Sequence, residues 1–511
     1  MELSEHIKTA NVEDVTLRRP FHPALRGTLC VTSHHLLFSD RKDEASWQLL
    51  ILLKNIDAIE KSVENLFGYP RAVGSSGTIT IKCKDLLVLQ LEIPGMEECL
   101  NIASSIEALS SLESVTEMYP FFYRPSHLTL SGLWGLSSME QYYKQTESLW
   151  DRWRVSTVNS DYSVCPSYPS AVIVPREVDD DKLICSARFR QGGRFPVLSY
   201  CHHRNGMVIM RSSQPLTGAN KKRCKEDELL LQAVIDGSEL GYIIDLRSAQ
   251  QAQQAWMTGG GVESKSCYSH WKRIHRHHEK DCHSVLVHGS EGTDNTLLMS
   301  SLAQLILDPT SRTVTGFLCL LEREWIQAGH PFQQRCAHSA YSYARLKQEC
   351  PSFLLLLDCV WQVWRQFPLA LEFSEALLLR LAQEVYASNY GTFLCNSEQE
   401  RCAAGVKENT HCLFQSLLRP DIEEQYLNPL YEPTDLAIWP SVHPQSLQLW
   451  TGLFLRWTEY AQNMEEAREE VWSIVKEHRE QAGHDRTNNM LSTHCDTLTP
   501  FENLMDELTI L

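Results

Sequence analysis

A chain of 511 residues is too long for one ordinary hydrophobic core and suits two or three domains. With 43% hydrophobic and 22% charged residues it has the composition of a soluble globular protein, and a net charge of −17 argues against broad nucleic-acid binding and against bulk adhesion to anionic membranes. Any lipid contact therefore has to be a local patch. The stretch Met1-Glu2-Leu3-Ser4-Glu5-His6 lacks a basic segment followed by an apolar core, so no secretory signal is expected. The most apolar run, Phe353 to Leu357, stops at Asp358, far short of the ~20 residues of a membrane helix. The 17 cysteines are scattered, odd in number and free of Cys-x-x-Cys pairs. That usage predicts reduced thiols and a cytoplasmic chain, peripheral on endomembranes at most.

In chain order, the runs either side of Ser33-His34 between Gly27 and Ser39 predict one antiparallel hairpin, and Thr78 to Cys83 with Leu86 to Ile93 predict another around Lys84-Asp85. Gly95 to Ser110 follows, with Cys99, Ile102, Ala103, Ile106 and Leu109 on one helical face. Hairpins capped by one amphipathic helix predict a small β-barrel over residues 1–112. Its cations Lys54, Lys61, Arg71, Lys82 and Lys84 alternate with Asp57, Glu60 and Glu64, so a solvated surface is the plainer reading and a lipid-binding patch the sharper one. The texture changes at Tyr119-Pro120-Phe121-Phe122-Tyr123, and a second domain is expected over 118–455. There Phe195 to Tyr200, Met207 to Met210 and Tyr242 to Ile244 predict short strands, with a helical stretch near Glu226 to Ile235. The class is α+β or α/β, a central mixed sheet flanked by helices. Lys221-Lys222-Arg223-Cys224-Lys225 runs into Glu226, Asp227 and Glu228 and reads as a solvated helix start. Arg194 and Arg211 adjoin strands, where arginines usually pair with carboxylates.

Val285 to His288 predicts a buried strand and Leu297 to Asp308 a helix, joined by Gly289-Ser290-Glu291-Gly292-Thr293-Asp294-Asn295-Thr296. A glycine-containing loop that leaves a strand and turns straight into a helix is a phosphate cradle. Its N–H groups converge where the unpaired N–H groups and positive dipole end of the helix also point. Just before it, Cys267, His270, His275, His277, His278, Cys282 and His283 are metal-ligand types, but their spacing matches no standard zinc framework, so neither metal nor cofactor is expected. Near the C-terminus Trp457, Tyr460, Met464, Ala467, Val471 and Ile474 fall at alternating spacings of three and four, predicting a short coiled-coil helix within a tail over 456–511. So short a helix has to pack on another chain or on its own domain. Phe501, Leu504, Met505 and Leu508 predict a second docking helix.

Several of these stretches together resemble the myotubularin phosphoinositide phosphatases. The resemblance runs through Gly193-Arg194-Phe195-Pro196-Val197, Arg211-Ser212-Ser213-Gln214-Pro215, Tyr242-Ile243-Ile244-Asp245-Leu246-Arg247-Ser248, Gly329-His330-Pro331-Phe332 and Tyr390-Gly391-Thr392-Phe393-Leu394. It implies an opening PH-GRAM domain, which in that family can contact phosphoinositides, then a cysteine-phosphatase-like domain and a C-terminal segment that pairs with other members. Active members read His-Cys-Ser-Asp-Gly-Trp-Asp-Arg-Thr over the loop. Here His288, Ser290, Gly292, Asp294 and Thr296 match, while Gly289 stands for the cysteine, Glu291 for the first aspartate, Thr293 for the tryptophan and Asn295 for the arginine. Cysteine-phosphatase chemistry needs a thiolate to attack phosphorus and a guanidinium to grip the phosphoryl oxygens as charge spreads. Glycine supplies nothing, and asparagine one neutral amide.

The resemblance therefore implies a pseudophosphatase with no catalytic residue, which binds and regulates active phosphatases of its family through Trp457 and the seam after it, with self-pairing also open. A phosphoinositide-binding adaptor and a weakly active phosphatase with an unfamiliar nucleophile are the alternatives; weak phosphoinositide or membrane contact is compatible with each. One departure from the family is large. A long helical stretch between the Trp271-Lys272-Arg273-Ile274-His275 region and the cradle is reduced to the bridge Arg276 to His283. Its loss should expose apolar surface on one side of the sheet, lowering stability or calling for a partner to cover it.

Overall fold

The computed structural model describes residues 3–40, 48–63, 76–125, 134–146, 149–235, 240–274, 283–339 and 350–458, together with Ser473. Residues 1–457 form one unit and 458–511 a second, of which Thr458 and Ser473 are described. The seam positions Tyr460, Met464, Ala467, Val471 and Ile474, the segment 501–511, residues 276–282 of the bridge, and Arg71 lie outside the described residues.

The first domain is antiparallel. Strands β1 (Asn11–Arg18), β2 (Leu25–Val31), β3 (His35–Ser39), β4 (Gln48–Leu52), β5 (Ile56–Val63), β6 (Ser76–Cys83) and β7 (Val88–Pro94) lie in the order β4-β3-β2-β1-β7-β6-β5. Alternation drives the pairing: in β6, Gly77, Ile79, Ile81 and Cys83 are buried while Thr78, Thr80 and Lys82 are only half-buried. Helix α1 (Met96–Ser110) lays Cys99, Ile102, Ala103, Ile106 and Leu109 onto β5, β6 and β7, the face its periodicity predicts. Both predicted hairpins and the capping helix are present. Two of the five cations depart from the solvated reading. Lys61 and Lys82 pair at the surface with Glu107 (2.8 Å) and Glu60 (2.5 Å), but Lys84 is buried and Lys54 half-buried where this domain meets the next.

In the second domain β8 (Trp153–Ser156) pairs with β9 (Val172–Pro175). The main sheet comprises β10 (Val197–Cys201), β11 (Val208–Ser213), β12 (Gly241–Asp245), β13 (Trp271–Ile274) and β14 (Val285–Gly289), in the order β10-β11-β14-β12-β13. Only the β10–β11 pair is antiparallel, so β14 runs between two parallel neighbours. Register places Met210, Leu286 and Ile243 on one face, where they pack with Trp271, Leu231 and Val234. This face carries α2 (Met139–Gln145) and α4 (Lys225–Gln232); α3 (Asp180–Phe189) packs on α4, and α5 (Ala249–Met257) follows β12. The opposite face receives α6 (Asn295–Leu307), which leads into the largest core. That core is built by α7 (Val314–Leu321), a π-helical turn over 322–327, α8 (Phe332–Arg335), α9 (Ser352–Gln366) and α10 (Glu375–Glu384) around Trp325, Phe353, Leu357 and Leu381. At the β12–β13 edge Ile244, Ile274 and Val285 remain half-buried, so the exposure expected from the shortened bridge is partial among the described residues.

Candidate functional site

Parallel sheets gather their loops at the C-terminal ends of the strands, and here Ser213 of β11 and Asp245 of β12 flank the end of β14. The chain leaves β14 at Gly289 and enters α6 at Asn295. Gly292 makes that turn at φ +77°, where a Cβ would lie 2.5 Å from Ser212 O. The loop carbonyls are held from outside. Gln214 N–H donates to Ser290 O (3.2 Å), Arg194 Nη2 to Gly292 O (2.9 Å) and His330 Nδ1–H to Thr293 O (2.8 Å). The loop donors are left open: from Ser290 to Asn295 no backbone N–H finds an acceptor among the described residues. A concave run of unpaired donors at the start of a helix is an anion cradle in its backbone.

The side chains do something else. Gly289 leaves a gap: a Cβ built there meets nothing nearer than Thr296 Oγ1 at 3.4 Å, and that hydroxyl is buried without a hydrogen bond. Ser290 and Asn295 are exposed, and no base contacts the Ser290 hydroxyl among the described residues. Asp294 does not cap α6 with its side chain. Its carboxylate accepts from Arg335 Nε (3.0 Å), Arg335 Nη2 (2.9 Å) and Ser352 Oγ (3.1 Å). Burial is the largest influence and opposes its charge, but the Arg335 guanidinium and the other polar neighbours together, Ser352 among them, hold its pKa below the ordinary carboxylate value. Glu291 reaches the same guanidinium at 3.4 Å. Arg335 is thus engaged by two carboxylates of the loop, while Arg194, the other guanidinium at the cradle, is engaged by the Gly292 carbonyl.

His288 points to the other face of the sheet, fully buried, with Nε2 3.2 Å from Glu263 Oε2. Arg190 donates to Glu263 (2.7 Å) and Asp227 (2.6 Å), and Tyr268 OH donates to Asp227 (2.7 Å). Burial would raise the Glu263 pKa, yet His288 and Arg190 hold it far below the carboxylate range. His288 is thus tied into a structural ion cluster under the loop. His330 is the opposite case: burial pushes its pKa down to about 4, and with Nδ1–H donated to Thr293 its Nε2 has no partner, the pattern of a neutral ring.

Arg335, Glu263, Arg190 and His330 carry no role in the sequence reading; Arg335 and His330 sit in the Gly329-to-Cys336 stretch, where a histidine one residue and a cation six residues past a glycine turn were the available signal. Two readings need correction. Asp227 is not a solvated helix-start acid but the buried partner of Arg190. Arg194 pairs with no carboxylate: it donates to Ser167 Oγ (2.8 Å), Ala328 O (3.0 Å) and Gly292 O, with its guanidinium 4.4 Å from the Tyr168 ring centroid. Arg211 meets Glu324 at 3.3 Å, and Arg223 pairs at the surface with Glu228, both as expected. Trp457 donates from Nε1 to Asp85 O (2.8 Å) and packs against the first domain's core.

Comparison with known proteins matches the MTMR6-9 GRAM domain to residues 11–110 and the myotubularin-like phosphatase domain to residues 118–284 and 274–402. The chain belongs to the myotubularin family. A myotubularin-related protein 9-like of Bos taurus is 50% identical over 546 aligned positions, 96% of this chain and 99% of that protein. Myotubularin-related protein 9 of Mus musculus is 49% identical over 534 positions, 94% of this chain and 96% of that protein. The phosphatidylinositol-3,5-bisphosphate 3-phosphatase MTMR6 of Homo sapiens is 31% identical over 542 positions, 93% and 84% of the two chains. The two segments of the phosphatase-domain match overlap at 274–284, around the bridge Arg276 to His283.

The two loop glycines should respond differently to substitution. Gly292→Ala, strained at positive φ and against Ser212 O, should lose about 1–3 kcal/mol or more by urea unfolding, whereas Gly289→Ala should stay within about 1 kcal/mol of the parent. The pKa of His330, depressed from 6.5 to about 4, predicts a stability loss on acidification. Below pH 6.5 the unfolded ring takes up a proton that the folded ring refuses, so stability should fall by about 3 kcal/mol down to pH 4. His330→Asn, which keeps a donor toward Thr293 O, should flatten that slope in urea titrations run across this window.

Proposed function

We propose that this myotubularin is a pseudophosphatase that binds and regulates active phosphoinositide 3-phosphatases of its own family. The observation that carries the reading is the gap at Gly289: the cradle backbone and the space beside Thr296 are kept, but position 289 has no side chain to form a covalent bond to phosphorus. Asn295 points to solvent with a neutral amide, and Arg335, the nearby cation, is engaged by Asp294 and Glu291. Without nucleophile or free clamp, hydrolysis has neither attack nor transition-state stabilisation. Action by association is supported by Leu436, Trp439 and Val442, apolar side chains 70%, 77% and 85% exposed within seven residues, the kind of surface a partner covers. The substrate class is then the partner's, as in MTMR6, whose name gives it as phosphatidylinositol-3,5-bisphosphate.

One observation favours a second reading, an adaptor that holds phosphoinositide headgroups without cleaving them: the unpaired N–H groups of Ser290 to Asn295. The carboxylates of Glu291 and Asp294 beside them weigh against it.

The purified full chain should release no phosphate above buffer from phosphatidylinositol 3-phosphate or 3,5-bisphosphate, and should raise turnover by co-purified MTMR6. Turnover by the chain alone, lost in Ser290→Ala, would sink the proposal. Headgroup binding in liposome sedimentation without any effect on MTMR6 would favour the adaptor. Gly289→Cys combined with Asn295→Arg should recover little activity, because Glu291, Thr293 and the shortened bridge also differ from the active pattern. Robust turnover by that double variant would show the rest of the site to be intact.

A further inference from the structure

A cavity of about 590 Å³ lies between the GRAM domain and the phosphatase-like domain, with Lys54, Ile56 and Lys84 on one side and Phe332, Tyr386 and Phe393 on the other. Its volume suits a small-molecule site, for which about 300–1,000 Å³ is usual. Lys84 is 4% exposed, and its ammonium makes no hydrogen bond or ion pair among the described residues. An enclosed lysine without a direct hydrogen-bond or ion-pair partner is unusual, because removing an ammonium from water is costly unless something replaces the water.

The other charged groups lining the cavity are committed or exposed. Asp57 accepts from Ser339 Oγ (2.7 Å) and His338 Nδ1 (3.0 Å); Glu384 pairs with Arg380 (2.6 Å) and accepts from Ser388; Glu113 is exposed. Lys54 Nζ donates to the Leu112 carbonyl (2.9 Å), so a second cation stands on the same wall. Burial, and then Lys54, push the Lys84 pKa down to about 7 against the opposing pull of Asp57, whose oxygens accept from His338 and Ser339 and not from the ammonium.

We propose that this interdomain cavity binds a compact, soluble amphipathic anion: one carboxylate, sulfonate or phosphate monoester, held by Lys84, on an apolar body packed against Phe332 and Phe393. The anion gives the Lys84 ammonium the direct partner that the lining carboxylates, engaged elsewhere or exposed, do not provide, and the aromatic side receives the rest. Because the walls come from both domains, an occupant would also clamp one to the other.

The test uses the full chain and 8-anilinonaphthalene-1-sulfonate, an aromatic sulfonate whose fluorescence rises on binding, displaced either by phenyl phosphate or by phenol, which has the ring without the charge. Saturable single-site binding is expected, with phenyl phosphate displacing the dye at least about tenfold more effectively than phenol and Lys84→Met weakening the dye by at least about tenfold. Equal displacement by phenol, absence of saturable binding, or unchanged affinity in Lys84→Met overturns the proposal. A thermal melt guards against misfolding. Lys84→Met removes an unpaired buried charge, so the midpoint of the free protein should rise while the shift that phenyl phosphate gives the parent disappears. A lowered midpoint would make Lys84 an internal structural partner and would also overturn the site.

Discussion

Strand β14 is bound on both sides by parallel neighbours, and that constraint fixes everything at its C-terminal end. Six residues after Gly289 the chain must be inside α6, whose apolar face is already committed to the large helical core. The loop between is held through its carbonyls by Gln214 N–H, Arg194 and His330, and none of these bonds uses a side chain at 289 or 295. Shape and chemistry are therefore separable here. A cradle of this form persists as a folding joint even when the atoms that would react in it are gone, because the sheet and the helix still need the turn.

Electrostatics explains why the vacated site does not simply become a strong anion trap. Unpaired N–H groups and the positive end of α6 favour negative charge, but Asp294 and Glu291 bring their own to the same place and draw in Arg335. Beneath the loop, Arg190, Asp227, Glu263 and His288 form a buried cluster in which every charge has an opposite neighbour. Removing one member strands another, at a cost of about 3–5 kcal/mol. The loop is thus built on a floor that tolerates little change, while Ser290 and Asn295 above it are exposed.

The first domain is joined to the chain that follows it by polar contacts that no local pattern announces. His338 and Ser339 meet Asp57, the His34 ring lies 3.0 Å from Glu117 O, and Trp457 returns to Asp85. These contacts turn the first domain so that Lys54 and Lys84 face protein and not water. A lysine in a hairpin turn ordinarily reads as solvated, and only the position of the second domain decides otherwise.

Much was legible in the residue order. Alternation in Thr78 to Cys83 and Leu86 to Ile93, the face of Cys99 to Leu109, and the strand–glycine–helix progression from Val285 to Leu307 each depend on neighbours two to four residues apart, so periodicity alone specified those elements and the joint, while Gly289 stood out only through the family resemblance. What only the tertiary structure decided is which distant groups meet. Arg335 reaches Asp294 across 41 residues of chain, Arg190 reaches Glu263 across 73, and Arg194 serves backbone carbonyls where a carboxylate was expected. Such pairings are set by how whole helices and sheets pack, and a guanidinium carries no local mark of the acceptor it will find.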